Sequence, residues 1–249
     1  MSFGVVEGSS DGAGLTVAQI EGHPFGPVAF TGERWALADV RLLSPILPSK
    51  VVCVGRNYAD HARELGNEVP AEPLLFLKPS SSVIGPKDVI RRPPQSQQVE
   101  HEAELAVVIG ATGARRVDRS DALKTVFGYT VANDVTARDL QRKDVQFTRA
   151  KSFDSFCPLG PWIETQLDAS DLEVRCEVND EVRQLGRTRD LVFDVPTLIS
   201  YVSHVMTLLP GDVILTGTPA GVSPIEAGDT CVVRVEGIGE LANPVADLE

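Results

Sequence analysis

Two glutamates at the head of an apolar run constrain this chain more than any other feature. Residues 99–110 read VEHEAELAVVIG, and the run Glu104–Ile109 has the continuous apolar character of a buried strand, closed by Gly110. Side chains on a strand alternate with a period of two, so Glu102 and Glu104 share one face. Carboxylates side by side against apolar sequence repel each other and lose hydration, so something positive should sit between them. Asp134 is the natural third member: it ends a second apolar run, Val131-Ala132-Asn133, just before a helix start expected at Thr136. Three carboxylates without cysteine form a hard oxygen site that favours Mg²⁺ or Mn²⁺ over Zn²⁺. Against a divalent cation they leave one negative charge in excess, which the ammonium of Lys151 could balance. A Glu-x-Glu pair alone is more commonly a solvated face, since charged residues are seldom buried unless paired. His101, on the opposite face, reads as structural rather than as a ligand.

The formal net charge of −12 repels phosphate backbones and argues against nucleic-acid binding. Small anionic substrates are not excluded, because a bound metal reverses the local field. Cys53, Cys157, Cys176 and Cys231 are scattered and form no Cys-x-x-Cys pair, so neither a zinc site nor a disulfide framework is expected. No basic-then-apolar leader and no 18-residue apolar run occur, which makes a cytoplasmic, membrane-free protein the expectation.

Residues 1–48 read as a small N-terminal β segment, and 49–249 as the main domain. Val51–Gly55 and Leu74–Leu77 suit short strands, and Ala59–Leu65 suits a helix ending at Gly66. His61 and Glu64 lie three apart on that helix and so share a face, as an ordinary surface ion pair also would. Lys78-Pro79-Ser80-Ser81-Ser82 could hold a carboxylate or simply be a turn. Residues 86–98 read as an extended loop, Ser120–Phe127 as a short helix, and Thr136–Asp144 as another with Thr136 at its N-cap and Asp139 close to a capping box. Arg138 and Gln141 follow Asp134 closely enough to face the same site. Phe153–Trp162 reads as a tight loop and Leu172–Asn179 as a half-exposed strand. Pro196–Met206 is the best helix, with Asp194 as its cap. Strands are expected at Val213–Thr216, Thr230–Val235 and Ile238–Val245. The loop Gly217-Thr218-Pro219-Ala220-Gly221 offers amides to an anion or carbonyl oxygen but lacks the Gly-Lys-[Ser/Thr] of a nucleotide loop.

Several stretches in one order resemble the fumarylacetoacetate hydrolase family over residues 49–245: VGRNYADHARE at 54–64, FLKPSSSVIGP at 76–86, VEHEAELAVVIG at 99–110, GYTVANDVTARDLQ at 128–141, KSFDSFCPLGPW at 151–162 and TLLPGDVILTGTPAGV at 207–222. The resemblance implies an α+β, strand-dominated fold wound into a distorted β-roll with a few short helices, usually a homodimer. It implies that Glu102, Glu104 and Asp134 bind Mg²⁺ or Mn²⁺, with Lys151 beside the metal. His61 and Glu64 would form a catalytic dyad on a mobile lid, and Arg56, Tyr58, Arg138, Gln141 and Thr218 would line the substrate pocket. The implied activity is C–C bond cleavage in a 2-oxo acid through a metal-stabilised enolate, by hydrolysis of an acylpyruvate or other diketo acid or by oxaloacetate-type decarboxylation. The alternative within the family is a hydroxydienedioate isomerase or decarboxylase of aromatic catabolism. A catalytically silent metal-binding scaffold is the alternative of another class.

Overall fold

The computed structural model describes residues 1–8 and 14–248. The chain separates into two compact units, Met1–Leu42 and Leu43–Glu249. In the first, strands Gly4–Glu7, Thr16–Ile20 and Phe30–Ala36 form an antiparallel sheet in sequence order.

The second unit is dominated by strands. A seven-stranded mixed sheet has the order Leu74–Lys78, Val51–Gly55, Val213–Leu215, Ala103–Ile109, Val126–Asn133, Cys157–Glu164 and Val83–Ile84. Its middle is buried on both faces: every residue of Ala103–Ile109 and of Val213–Leu215 is inaccessible to solvent or nearly so. This explains why those segments read as unbroken apolar runs rather than as alternating ones. A five-stranded sheet (Glu181–Arg187, Glu173–Val178, Thr230–Val235, Gly239–Asp247, Ile90–Arg92) does alternate, with Cys231, Val233 and Val235 turned inward. One apolar core runs through both sheets, and Asn133 of the first reaches Cys231 of the second, Nδ2 to Sγ 3.4 Å. The helix Val195–Val205 starts where Asp194 accepts the Thr197 amide, and it buries Leu198, Ile199 and Val202 on one face. Among the described residues no helix is long and apolar enough to cross a membrane.

Four local expectations are corrected. Phe153–Trp162 is not simply a loop, because Cys157–Glu164 is a strand. It pairs with Val126–Asn133 on one side, with a register shift between Tyr129 and Val131, and on the other only with the two residues Val83–Ile84, so the N–H groups missing at Pro158 and Pro161 leave few ladder bonds unmade. Thr136 does not cap a helix. Thr136–Ala137 pairs with Val99–Glu100, the Thr136 hydroxyl donates to the Asp134 carbonyl, and the helix is Arg138–Lys143. Asp139 instead accepts from the Ser96 hydroxyl and the Gln97 amide. Arg119–Thr125 is a 3₁₀ helix that gives way to strand at Val126, ahead of the expected end at Phe127. The strand Glu181–Arg187 was not expected, although Asn179 and Asp180, both at positive φ (52° and 64°), form the two-residue turn that favours a hairpin.

Candidate metal centre and its cavity

The antiparallel pair Ala103–Ile109 and Val126–Asn133 builds the site. Glu104 lies opposite Ala132 and Ala103 opposite Asn133, and the Asp134 amide donates to the Glu102 carbonyl at 2.9 Å. The register therefore brings all three acids to one end of the pair. One carboxylate oxygen from each of Glu102, Glu104 and Asp134 lies within 4.8 Å of the others, and all three residues are buried.

Buried cations hold two of the three. Lys151 Nζ bonds both Glu102 Oε2 and Asp134 Oδ2 at 2.8 Å, and it sits 4.9 Å above the Phe76 ring. Lys78 Nζ, fully buried, bonds Asp134 Oδ1 at 2.6 Å and the Val135 carbonyl at 3.1 Å. Of the Lys-Pro-Ser-Ser-Ser segment, then, Lys78 holds a carboxylate from inside the core, while the Ser80 and Ser82 hydroxyls donate to the Ser49 and Pro79 carbonyls. Arg138 donates to Glu102 Oε1 (2.6 Å), Glu100 Oε2 (2.7 Å) and Gln141 Oε1 (2.6 Å).

Glu104 differs from its neighbours. Among the described residues no lysine or arginine pairs with it, and the Gly217 amide donates to its Oε2. Gly217 has φ +105°, and a Cβ there would meet the Asn57 Cβ at 2.7 Å, so only glycine brings that amide in. Burial, and then the charges of Asp134 and Glu102, push the Glu104 carboxyl well above its ordinary range. Burial would also raise Glu102, but Lys151 and Arg138 override it and hold that carboxyl far below the usual range. The centre thus has three hard oxygen donors, one of them a buried carboxylate without a cationic partner. It fits a divalent cation of the Mg²⁺ or Mn²⁺ type.

A cavity of about 370 Å³ opens on this centre. Arg56, His61, Glu64, Glu102, Glu104, Asp134, Arg138, Gln141, Lys151 and Thr218 all line it. Tyr58 does not. It is buried at the start of the helix Ala59–Glu64, bridging to Leu191, and burial raises its hydroxyl. Thr218 faces the cavity with its hydroxyl proton given to the Ala103 carbonyl, while Gln184 Nε2 donates to its oxygen. Arg138 likewise faces the cavity with its guanidinium engaged on three side chains. A more open depression of about 740 Å³ lies over the Lys143–Phe153 turn, where Asp144 and Arg149 neutralise each other.

His61 is 4% exposed, with Nδ1 3.4 Å from Glu64 Oε2. Burial lowers the imidazole below its ordinary value, against the opposing pull of Glu102. Glu64 is anchored in turn by the Gly221 amide, at 3.0 and 3.2 Å from its two oxygens. His101 is structural: Nδ1 donates to Gln184 Oε1 and Nε2 bonds the Ser223 hydroxyl. Sequence reasoning missed Glu100, Gln184, Asn133 and the Gly221 amide, each a supporting group whose partner is distant in the chain. Only Glu100, beside the acidic pair, carried a local signal.

A family model for the fumarylacetoacetate (FAA) hydrolase C-terminal domain matches residues 50–246. The chain belongs to the fumarylacetoacetate hydrolase family. A second model, described as Rv2993c-like, N-terminal, matches residues 1–45. A crystal structure of 5-carboxymethyl-2-hydroxymuconate delta-isomerase from Mycobacterium smegmatis is 53% identical, with a TM-score of 0.92 over 99% of this chain and 95% of that one. The mitochondrial oxaloacetate tautomerase FAHD2A of Homo sapiens is 46% identical over 84% of this chain and 70% of its own length. Maleylpyruvate hydrolase from Sphingobium sp. SYK-6, solved with manganese(II) and pyruvate, is 39% identical with a TM-score of 0.75, covering 89% and 78% of the two chains. The strand-dominated fold expected from sequence agrees with these neighbours, and family members are enzymes.

Proposed function

We propose that this protein catalyses keto–enol or double-bond isomerisation of a small 2-oxo acid. One juxtaposition carries the reading: the His61–Glu64 pair and the three-carboxylate centre face the same 370 Å³ cavity. Glu102, Glu104 and Asp134 would hold a divalent cation, which supplies Lewis acidity to a 2-oxo group when bound. The chain's own residues do the rest. A buried imidazole with a lowered pKa is neutral near pH 7 and free to act as a base. With Nδ1 turned to Glu64, Nε2 is left to take the proton from the carbon next to the carbonyl. The electron pair of that C–H bond moves toward the carbonyl oxygen, and the proton returns to oxygen or to a carbon further along a conjugated chain, so the reaction balances without a co-substrate. Glu64, fixed by the Gly221 amide, stabilises the transient imidazolium. The isomerase and tautomerase relatives support this reading.

A second reading, C–C cleavage of a 2,4-dioxo acid with His61 activating water, is supported by the likeness to maleylpyruvate hydrolase. The test is to follow oxaloacetate tautomerisation and acetylpyruvate hydrolysis with Mn²⁺ and with Mg²⁺. His61→Ala should lose roughly 10²–10⁴-fold of the rate, the usual span for general acid–base catalysis, while metal affinity stays intact. Glu102→Ala should lose metal affinity and activity together. Unchanged metal affinity in Glu102→Ala, or no turnover of any 2-oxo acid, overturns the proposal.

A further inference from the structure

Four carboxylates (Glu100, Glu102, Glu104, Asp134) and three cations (Lys78, Arg138, Lys151) form the buried cluster, and they leave it one negative charge when Glu104 is ionised. A divalent cation would turn that into one positive charge. Glu64 is the other acid on the cavity wall, and the Gly221 amide already serves it. Two guanidiniums on the same wall, Arg56 and Arg142, have no carboxylate partner among the described residues. Arg142 makes one side-chain bond, Nη1 to Gln98 Oε1 at 3.1 Å, and Arg56 makes none among the described residues. The loaded cavity therefore carries two positive charges, in a protein whose net charge is −12.

Both arginines are aimed by built structure. Arg142 follows Arg138 by four residues on the helix Arg138–Lys143, hence on the same face and about 6 Å further along the axis. Arg138 is pinned to the centre through Glu100 and Glu102, and Gln98 ties Arg142 to the same Glu100, its Nε2 lying 2.6 Å from Oε1. Arg56 sits at φ +57°, a conformation disfavoured for a residue with a Cβ. Asn57 next to it is fully buried and holds the chain there, with Nδ2 donating to the Thr216 and Phe193 carbonyls and Oδ1 accepting the Phe193 amide. Unpaired cations held in place on the wall of an otherwise neutralised cavity are a seat for an anion.

We infer that Arg142, assisted by Arg56, is a specificity-determining residue that seats a second carboxylate of the substrate about one helical turn from the metal centre, so the enzyme selects short 2-oxo dicarboxylic acids over 2-oxo monocarboxylic acids of the same length. This rests on the 2-oxo acid reading above and narrows it. The experiment is calorimetric titration of the Mn²⁺-loaded protein with 2-oxoglutarate and with 2-oxopentanoate, which share the head group and chain length and differ in the distal carboxylate. The wild type should bind the dianion at least about tenfold more tightly, the scale of one charge-assisted hydrogen bond. Arg142→Gln should bring the two within about threefold by weakening only the dianion, Arg142→Lys should restore part of the preference, and Arg149→Gln, an exposed arginine paired with Asp144, should change nothing. Equal binding of the two acids by the wild type, or a preference that survives in Arg142→Gln, overturns the second seat alone. Failure of both acids to bind overturns the 2-oxo acid reading and this inference with it.

Discussion

Lys78 offers the sharpest test of how the centre is held together. Its ammonium is completely buried and bonds Asp134 Oδ1 at 2.6 Å, while Lys151 bonds Oδ2 of the same carboxylate at 2.8 Å. Lys78→Met keeps the apolar stem and removes one positive charge from a metal-free cluster whose three cations only just balance Glu100, Glu102 and Asp134 while Glu104 holds its proton. Removing one partner of a buried pair costs about 3–5 kcal/mol, chiefly from the charge left behind. For a chain of this size each kcal/mol lowers Tm by roughly 2–4 °C, so the metal-free variant should melt roughly 6–20 °C below wild type. Lys78 and a bound cation serve the same carboxylate, so the ion should bind more tightly once the lysine is gone. Thermal melts in EDTA and in saturating Mn²⁺ should therefore show a larger stabilisation by the ion in Lys78→Met than in wild type. Lys124→Met, which breaks the exposed pair with Asp121, is the control and should lose about 0–1 kcal/mol. A Lys78→Met protein melting within about 2 °C of wild type, or an equal ion effect on both proteins, would refute this account.

Glu104, raised by burial and by its two acidic neighbours, must give up its proton to become a ligand, so metal binding should release protons and apparent affinity should fall as pH falls; calorimetry in two buffers of different ionisation heat should show the difference, and identical heats would contradict it. The four thiols are buried, and burial pushes Cys157 up to about 12, so a thiol reagent should label none of them in the native protein and all four in denaturant. Gly217→Ala should cost about 1–3 kcal/mol in urea unfolding and weaken metal binding, because a residue at φ +105° would be strained and its Cβ would displace either Asn57 or the amide that meets Glu104; an unchanged midpoint would rule out that role.

What could be read from sequence follows a physical division. Glu102, Glu104 and Asp134 were visible because strand periodicity and the ends of two apolar runs are local properties. Lys151 was legible as their counter-charge and Arg138 as a neighbour, but the pairing of Lys78 with Asp134 and of Arg138 with Glu100 was not, because those pairs span 56 and 38 residues, distances that only the sheet order closes. The dyad role of His61 and Glu64 came from family resemblance, since three-residue spacing fits a surface pair equally well. The strand Cys157–Glu164 was hidden by its prolines and glycine, which a strand tolerates when one flank is barely paired. Tyr58 is absent from the cavity wall for a related reason: it is buried where the chain bridges to Leu191, and nothing near residue 58 records where Leu191 lies.

The two halves of the site rest on supports of different strength. Ala103–Ile109 lies in mid-sheet with a partner on each side and no solvent-facing residue, so its amides should exchange hydrogen only when the whole unit unfolds. The helix Ala59–Glu64 has six residues, fewer than two turns, and cannot persist by itself. Beyond its own first turn it is moored by Glu64 on the Gly221 amide and by the buried flanks of His61 and Ala62. Its amides should exchange through local opening, at rates set by that mooring rather than by global stability. The strand acids would then keep their positions while the imidazole comes and goes, so a ligand could enter before the proton-transferring group arrives.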